Sequence, residues 1–292
     1  MSVAALGFFD GVHIGHAVLL RAAADYAEKN RLKSFALTFD ISPAETVRGG
    51  ETLICTNEKK EKLISRLGIG STVFLPFEKI KNLNPREFFE SILIDKYKIS
   101  VLFCGEDYKF GRGASGTADT LRELCRHYNV TLNIVRDVCV DGKKVSSTAI
   151  RSMLRSGEIN RANILLGREY SVCGVVGENK RLGTAISVPT ANIDPTPGIV
   201  RLKNGVYKTK TKIKGRVYDS VTNAGVRPTV SGSQTPNLET YIFNFEENIY
   251  GHEIIICFID FIRAERKFNS LEELKAQIEK DIKICKEESK YE

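Results

Sequence analysis

Between residues 3 and 135, five short apolar runs alternate with four longer amphipathic ones, and no other feature limits the fold as much. The apolar runs are 3–9, 34–39, 71–75, 100–104 and 130–135. The amphipathic runs between them are 17–29, 58–67, 85–97 and 118–128. Strands separated by helices of this length predict βαβ units and a parallel sheet. Asn57 is placed to cap the second helix, and Pro85 to open the third.

In such sheets, ligands bind beyond the carboxyl ends of the strands. The first strand runs into Gly7-Phe8-Phe9-Asp10-Gly11-Val12-His13-Ile14-Gly15-His16. The chain has 4 histidines, and two of them stand here, three residues apart, at the start of a helix. Helix N-termini attract anions through their backbone N–H groups, and Gly11 and Gly15 let phosphates approach the backbone closely. His13 and His16 can donate hydrogen bonds to a triphosphate and to charge developing on it. The fourth strand ends in a second glycine-rich loop, Gly105-Glu106-Asp107-Tyr108-Lys109-Phe110-Gly111-Arg112-Gly113. Loops at that edge line the crevice that the histidines enter. Ser146-Ser147-Thr148-Ala149-Ile150-Arg151 then reads as a capped helix start. A capped helix alone accounts for the segment; in a functional reading, its hydroxyls and N–H groups would form a second phosphate cradle, with Arg151 to neutralise charge. His127 and His252 lack such surroundings and receive no role.

The pattern changes after a short helical connector, 155–168, punctuated by Gly157 and Gly167. From Tyr170 onward the chain favours short strands, at 171–176, 206–213, 217–223, 239–245 and 254–261. Five of the 8 prolines fall after residue 188, so turns are frequent there. This predicts a small antiparallel barrel or sandwich. The last helix is expected over 270–286, with Ser270 and Glu273 as a capping box. Leu271, Leu274, Ile278, Ile282 and Cys285 share one face, which should pack on the barrel.

Composition excludes several classes. No apolar run reaches the roughly 18–20 residues that span a bilayer. The first residues lack the pattern of a secretion signal. The 7 cysteines contain no C-x-x-C pair, which suits reduced thiols in the cytoplasm and argues against structural zinc. The net charge of +7 is spread without a dense basic block. A polyanionic small substrate fits it better than a nucleic acid does, and neither nucleic acid nor membrane is expected as a partner.

The opening motif resembles the H-x-G-H signature of the nucleotidylyltransferase superfamily. Together with the Gly105–Gly111 residues quoted above and Ser146-Ser147-Thr148-Ala149-Ile150-Arg151, it resembles the adenylyltransferase half of bacterial bifunctional riboflavin kinase/FMN adenylyltransferases, also called FAD synthetases. The second half is similar to the kinase half of the same family through six segments. These are Leu165-Leu166-Gly167-Arg168-Glu169-Tyr170, Pro189-Thr190-Ala191-Asn192, Asn204-Gly205-Val206-Tyr207, Asn223-Ala224-Gly225-Val226-Arg227-Pro228-Thr229, Glu239-Thr240 and Arg263-Ala264-Glu265-Arg266-Lys267-Phe268.

The resemblance implies an α/β Rossmann-like adenylyltransferase domain at 1–155, a connector at 156–168, and an antiparallel β-barrel kinase domain with a C-terminal helix at 169–292. It implies phosphorylation of riboflavin to FMN by ATP, then adenylylation of FMN to FAD with release of pyrophosphate. Glu239 would be the kinase base, and Thr190 and Asn192 would hold Mg²⁺ and phosphate. Arg227 and Arg263 lie in segments that fold over flavin and nucleotide. In the other half, His13 and His16 would contact phosphates. Ser147, Thr148 and Arg151 would hold the departing β- and γ-phosphates, and Asp107 and Phe110 would belong to the flavin loop. The substrates would be riboflavin, FMN and ATP, with FAD as product. A monomer or weak homo-oligomer is expected. Departures from the family pattern stand at Ser42, Thr184, Ser187, Val188 and Asn244. Two other readings stay open at this level: one half inactive, or a flavin-sensing regulator without turnover.

Overall fold

The computed structural model describes residues 1–41, 53–177, 190–228, 234–268 and 270–288. The chain divides into two compact units, Met1–Ala149 and Ile150–Glu292.

The first unit is a five-stranded parallel sheet of β1 (Ser2–Leu6), β2 (Lys33–Phe39), β3 (Ser71–Leu75), β4 (Ile99–Gly105) and β5 (Thr131–Val135). The strand order is β3-β2-β1-β4-β5, with parallel pairing throughout. The α/β expectation from the alternating runs is met. β1 is buried along its whole length. Its alternate residues serve two cores, because successive side chains of a strand face opposite sides. Val3 and Ala5 join Leu20, Ala23, Ile64 and Phe103 on one side. Ala4 and Leu6 join Leu37, Leu75, Phe89 and Leu102 on the other. The order reverses between β1 and β4, so the chain after β1 lies at the switch point where such sheets bind ligands.

Several local expectations need correction. The first strand stops at Leu6, and Phe8 and Phe9 belong to the turn. The first helix is Ile14–Lys29 and starts before Ala17, because the His13 side chain caps it. The second helix is Asn57–Ser65, capped by the Thr56 hydroxyl, so Asn57 is its first residue. A hydroxyl one position earlier satisfies the same orphan N–H. Pro85 does open its helix, with Asn84 and Glu87 forming a capping box. That helix is α-wound only over Pro85–Phe88 and continues as a π-helix over Phe89–Lys96. Periodicity over so few turns does not separate the two windings. A hairpin, β6 (Cys139–Val140) with β7 (Lys143–Lys144), follows β5. Its turn is Asp141-Gly142, with φ of 49° and 72°. Asp-Gly between paired residues is a hairpin signal that the strand reading passed over. The helix starting at the Ser-Ser-Thr segment spans Ser147–Ser156, and the connector contains a second helix, Ile159–Leu166. Gly157 and Gly167 both take positive φ there.

The second unit is a six-stranded antiparallel sheet in the order β8-β13-β10-β11-β12-β9. Its strands are β8 (Tyr170–Val175), β9 (Ala191–Ile193), β10 (Gly205–Ile213), β11 (Arg216–Pro228), β12 (Gln234–Ile242) and β13 (Glu253–Ala264). The two edges meet: Val176 bridges Ile193, and Gly177 N–H donates to Asn192 C=O at 2.9 Å. The sheet therefore curls back on itself as a barrel does. β11 and β12 reach further than their sequence suggests. Asn223 to Pro228 pair with Gln234 to Glu239, and pairing carries these less strand-prone residues into the ladder. β9 was not expected as a strand, since its three residues gain their conformation from distant partners, β12 on one side and Val176–Gly177 on the other. Asn244 follows β12 with φ 54°, a conformation asparagine tolerates better than most residues.

One face of this sheet carries five buried hydroxyls in a continuous chain. Thr211 bonds Ser220, Ser220 bonds Thr209, Thr209 bonds Thr222 and Thr222 bonds Thr240, each at 2.8–2.9 Å. Each hydroxyl can both donate and accept, so the burial is compensated.

The last helix is Leu271–Glu288, and Ser270 Oγ accepts from Glu273 N–H. Ile282 and Cys285 pack with Val206, Val221 and Phe243, as the apolar face predicted. Asp281 and Gln277 are also buried, beside that face. Asp281 receives Arg263 in a forked contact, from Nε at 3.0 and 3.1 Å and from Nη2 at 2.7 Å. Gln277 donates to Asp281 at 2.6 Å and accepts from Arg266. Removing one partner of a buried pair leaves the other charge uncompensated. Asp281→Ala should therefore cost about 3 kcal/mol in denaturant unfolding of the second unit. An effect below about 1 kcal/mol would mean the pair contributes like a surface bridge. Among the described residues, no helix is long and apolar enough to cross a membrane.

Candidate active sites

The turn after β1 is strained and held from several sides. Phe9 (φ 53°), Gly11 (φ 74°) and Val12 (φ 42°) all lie in the left-handed region. For branched Val12 this is unfavourable, and such strain persists only where the surroundings over-determine it. Those surroundings are visible. Thr38 Oγ1 donates to the Phe8 carbonyl at 2.7 Å. The buried Asp10 carboxylate accepts from Ile54 N–H at 2.9 Å. Ser147 Oγ donates to the Asp10 carbonyl at 2.9 Å. A Cβ at Gly11 would come within 2.9 Å of the Ile54 side chain, and one at Gly15 within 3.1 Å of the His13 ring. Glycine is needed at the first for conformation and contact, and at the second for closeness.

His13 is buried, and its Nδ1 accepts from His16 N–H at 3.2 Å. That acceptor role places the proton of a neutral His13 on Nε2, leaving Nε2–H as a donor. The two imidazoles stack with centroids 3.6 Å apart and planes 16° from parallel. Phe9 meets His16 edge-on at 5.3 Å. The turn at 7–16 and the segment 146–149 are thus brought together by the Ser147–Asp10 bond. Ser146 caps the helix by accepting from Ala149 N–H at 3.2 Å. Thr148 is exposed beside Ser147. Arg151 lies one helical turn after Ser147 on the same helix and is buried.

The loop after β4 divides. Asp107 is exposed and binds Lys144 of the hairpin at 2.6 Å, and Lys144 also binds Asp137 at 2.7 Å. Phe110 turns inward. Its ring is 4% exposed and packs with Tyr108 and Phe88 in the core. Its backbone pairs with Gly116, where any Cβ would meet the Phe110 ring at 2.7 Å. So Asp107 faces outward from this loop while Phe110 anchors it.

In the second unit, Glu239 on β12 stands opposite Asn192 of β9 and Asn223 of β11. Asn192 Nδ2 lies 3.3 Å from the Thr190 carbonyl and 3.5 Å from its hydroxyl. Thr190, Asn192 and Glu239 therefore form one group of oxygen-bearing side chains. Asn237, two residues before Glu239 on the same strand face, donates to Glu239 Oε1 at 3.1 Å. It is 5% exposed, and its Oδ1 has no hydrogen-bond partner. Sequence reasoning missed Asn237, though its spacing from Glu239 carried the signal. It also missed Glu265, which holds Asn204 at 3.2 Å and Asn223 at 3.4 Å. Arg263 is paired with Asp281, its Nη2 2.7 Å from the carboxylate. Arg227 has its backbone paired with Thr235, and its side chain lies outside the described residues. Ser42, Thr184, Ser187, Val188 and Pro189 lie outside them too.

Two family models match the chain: FAD synthetase over residues 1–149 and riboflavin kinase over residues 166–288. A bifunctional riboflavin kinase/FMN adenylyltransferase of Bacillus subtilis is 33% identical over 287 residues, covering 96% of this chain and 90% of that protein. One of Escherichia coli K12 is 30% identical over 289 residues, covering 98% and 92%. Among solved structures, a Streptococcus pneumoniae chain described as a macrolide-efflux protein superposes with a TM-score of 0.89 at 29% identity. It covers 98% of this chain and 93% of its own.

Proposed function

The chain belongs to the family of bifunctional riboflavin kinase/FMN adenylyltransferases, and from that premise we propose how its side chains divide the two reactions. The protein phosphorylates riboflavin to FMN with ATP and adenylylates FMN to FAD with a second ATP, releasing pyrophosphate. We assign adenylyl transfer to residues 1–155 and phosphorylation to 169–292, joined by 156–168. The single observation that most supports a working kinase site is the pairing of Glu239 with Asn192 across β9 and β12.

In the kinase step, Glu239 accepts the proton of the riboflavin 5′-hydroxyl as that oxygen attacks the γ-phosphorus of ATP and ADP leaves. Asn237 orients the carboxylate through Oε1. Thr190 and Asn192 present neutral hydroxyl and amide oxygens, which suit Mg²⁺ when ATP carries the negative charge. When bound, Mg²⁺ neutralises charge on the phosphate oxygens. We keep Arg227 and Arg263 as flavin-side residues, with Arg263 acting from its fixed position on Asp281.

In the adenylyl step, an FMN phosphate oxygen attacks the α-phosphorus and pyrophosphate leaves. The nucleophile belongs to the substrate, so the protein supplies alignment and charge. His13 donates from Nε2 and His16 from its ring. The N–H groups beside Gly11 and Gly15 donate to the triphosphate. Ser147, Thr148 and Arg151 hold the departing β- and γ-phosphates. Asp107 meets the flavin, and Phe110 keeps that loop in place. We place the protein in the cytoplasm, as a monomer or weak homo-oligomer.

The test incubates pure protein with riboflavin, ATP and Mg²⁺ and separates the flavins by chromatography. FMN should appear first and FAD after it. Absence of both products overturns the assignment. FAD made from FMN but none from riboflavin would confine activity to the first half.

A further inference from the structure

Lys60 has no place in the roles assigned so far, and its environment is unusual. It lies on helix Asn57–Ser65 and is 0% exposed. Its Nζ has no hydrogen-bond partner. The nitrogen sits 4.2 Å from the centroid of the Phe8 ring and 5.8 Å from that of Phe74. Lysines are almost never fully buried without a partner, and burying one costs stability. The aromatic faces recover part of that cost. An apolar residue such as Ile64 of the same helix would fill a core position at no such cost.

The position of Lys60 explains why a charge is kept there. Phe8 belongs to the phosphate turn, and its carbonyl is fixed by Thr38. Two residues on, the buried Asp10 carboxylate accepts from Ile54 N–H. A buried carboxylate in a turn that must take a triphosphate repels its own ligand, strongly so where water is excluded. The charged or titratable groups acting on Lys60 are Cys55 and Asp10. Cys55 is itself pushed up by burial, and so stays neutral near pH 7.

We infer that Lys60 is a positioning residue of adenylyl transfer: its buried ammonium, carried on the Phe8 ring, offsets the Asp10 carboxylate so that the turn accepts the ATP triphosphate. The inference rests on the adenylyl-transfer reading of this half. Lys60 touches no substrate and acts through Phe8 and Asp10. Burial lowers its pKa, and the neighbouring Asp10 carboxylate, with Cys55 once ionised, opposes that change. As pH rises the ammonium loses its proton, and the benefit to ATP binding is lost.

The experiment compares the full-length protein with Lys60→Met, which keeps the length and removes the charge. In FMN-to-FAD conversion the KM for ATP should rise roughly tenfold, with kcat within about threefold of wild type. Riboflavin phosphorylation should not change, and the melting temperature should not fall. A lysine with a merely structural role predicts the opposite, lower thermal stability with an unchanged KM. A KM within about twofold of wild type overturns the proposal. If the wild-type protein itself makes no FAD from FMN, the adenylyl-transfer reading fails before Lys60 is tested. If Lys60→Met does not fold, the wild-type KM for ATP is followed from about pH 7 to about pH 10. It should climb over that range, and a flat profile overturns the proposal.

Discussion

Glu239→Ala should lower FMN formation from riboflavin by about a hundredfold to ten-thousandfold, the range a positioned general base contributes. Conversion of added FMN to FAD should stay within about twofold of wild type, since the histidines lie in a separate unit. The expectation rests on where the carboxylate stands. Its strand is paired on both sides, to Asn192 and to Asn223, so the backbone beneath it has no freedom to drift. Asn237 holds Oε1 at 3.1 Å. Alanine removes the proton acceptor but leaves the ladder intact, so folding should survive. Glu239→Gln sharpens the test. Glutamine still accepts a hydrogen bond from Asn237, yet it cannot take the proton of the 5′-hydroxyl. If the Gln variant retained most of the activity, Glu239 would be a structural polar group and not the base. Initial rates of both conversions, measured on the same protein preparation, decide this.

His16→Ala should give the converse. FAD formation from FMN should fall by about a hundredfold to a thousandfold, the loss seen when one preorganised donor to developing charge is removed. FMN formation should persist. The choice of His16 over His13 follows from the geometry. His13 caps its helix by accepting the His16 backbone N–H, and that bond survives loss of the His16 side chain. His13→Ala would mix a lost phosphate contact with a lost cap costing about 1 kcal/mol. His16→Ala removes the stacked partner ring and the donor, and leaves the helix start in place. If it lowered both activities in folded protein, the idea of two separate sites would fall.

The alternation of strands and helices was legible because burial imposes period 2 on strands and period 3.6 on helices. The histidine turn was legible because its residue types crowd into ten positions. The edges of elements were less so. Phe9 looks like the end of a strand, yet it turns at φ 53° because Thr38, Ile54 and Ser147 hold the adjoining residues. β9 is a strand because β12 and the end of β8 run beside it. Phe110 shows that burial cannot be read from a motif. It stands in a ligand loop by sequence, but its ring is core.

The sequence by itself determined the two fold classes, the order of the elements and the chemical inventory of both sites. These follow from local periodicity and from residue types that keep their chemistry in any context. Only the tertiary structure decided that Ser147 ties its helix to the turn through the Asp10 carbonyl, and that Asn237 holds Glu239. It also decided that Arg263 is bound to Asp281 and that Lys60 is buried against Phe8. Burial and partnership depend on which distant segments meet. A lysine two residues from another lysine on an amphipathic helix reads as solvated surface until the sheet beneath it is in place.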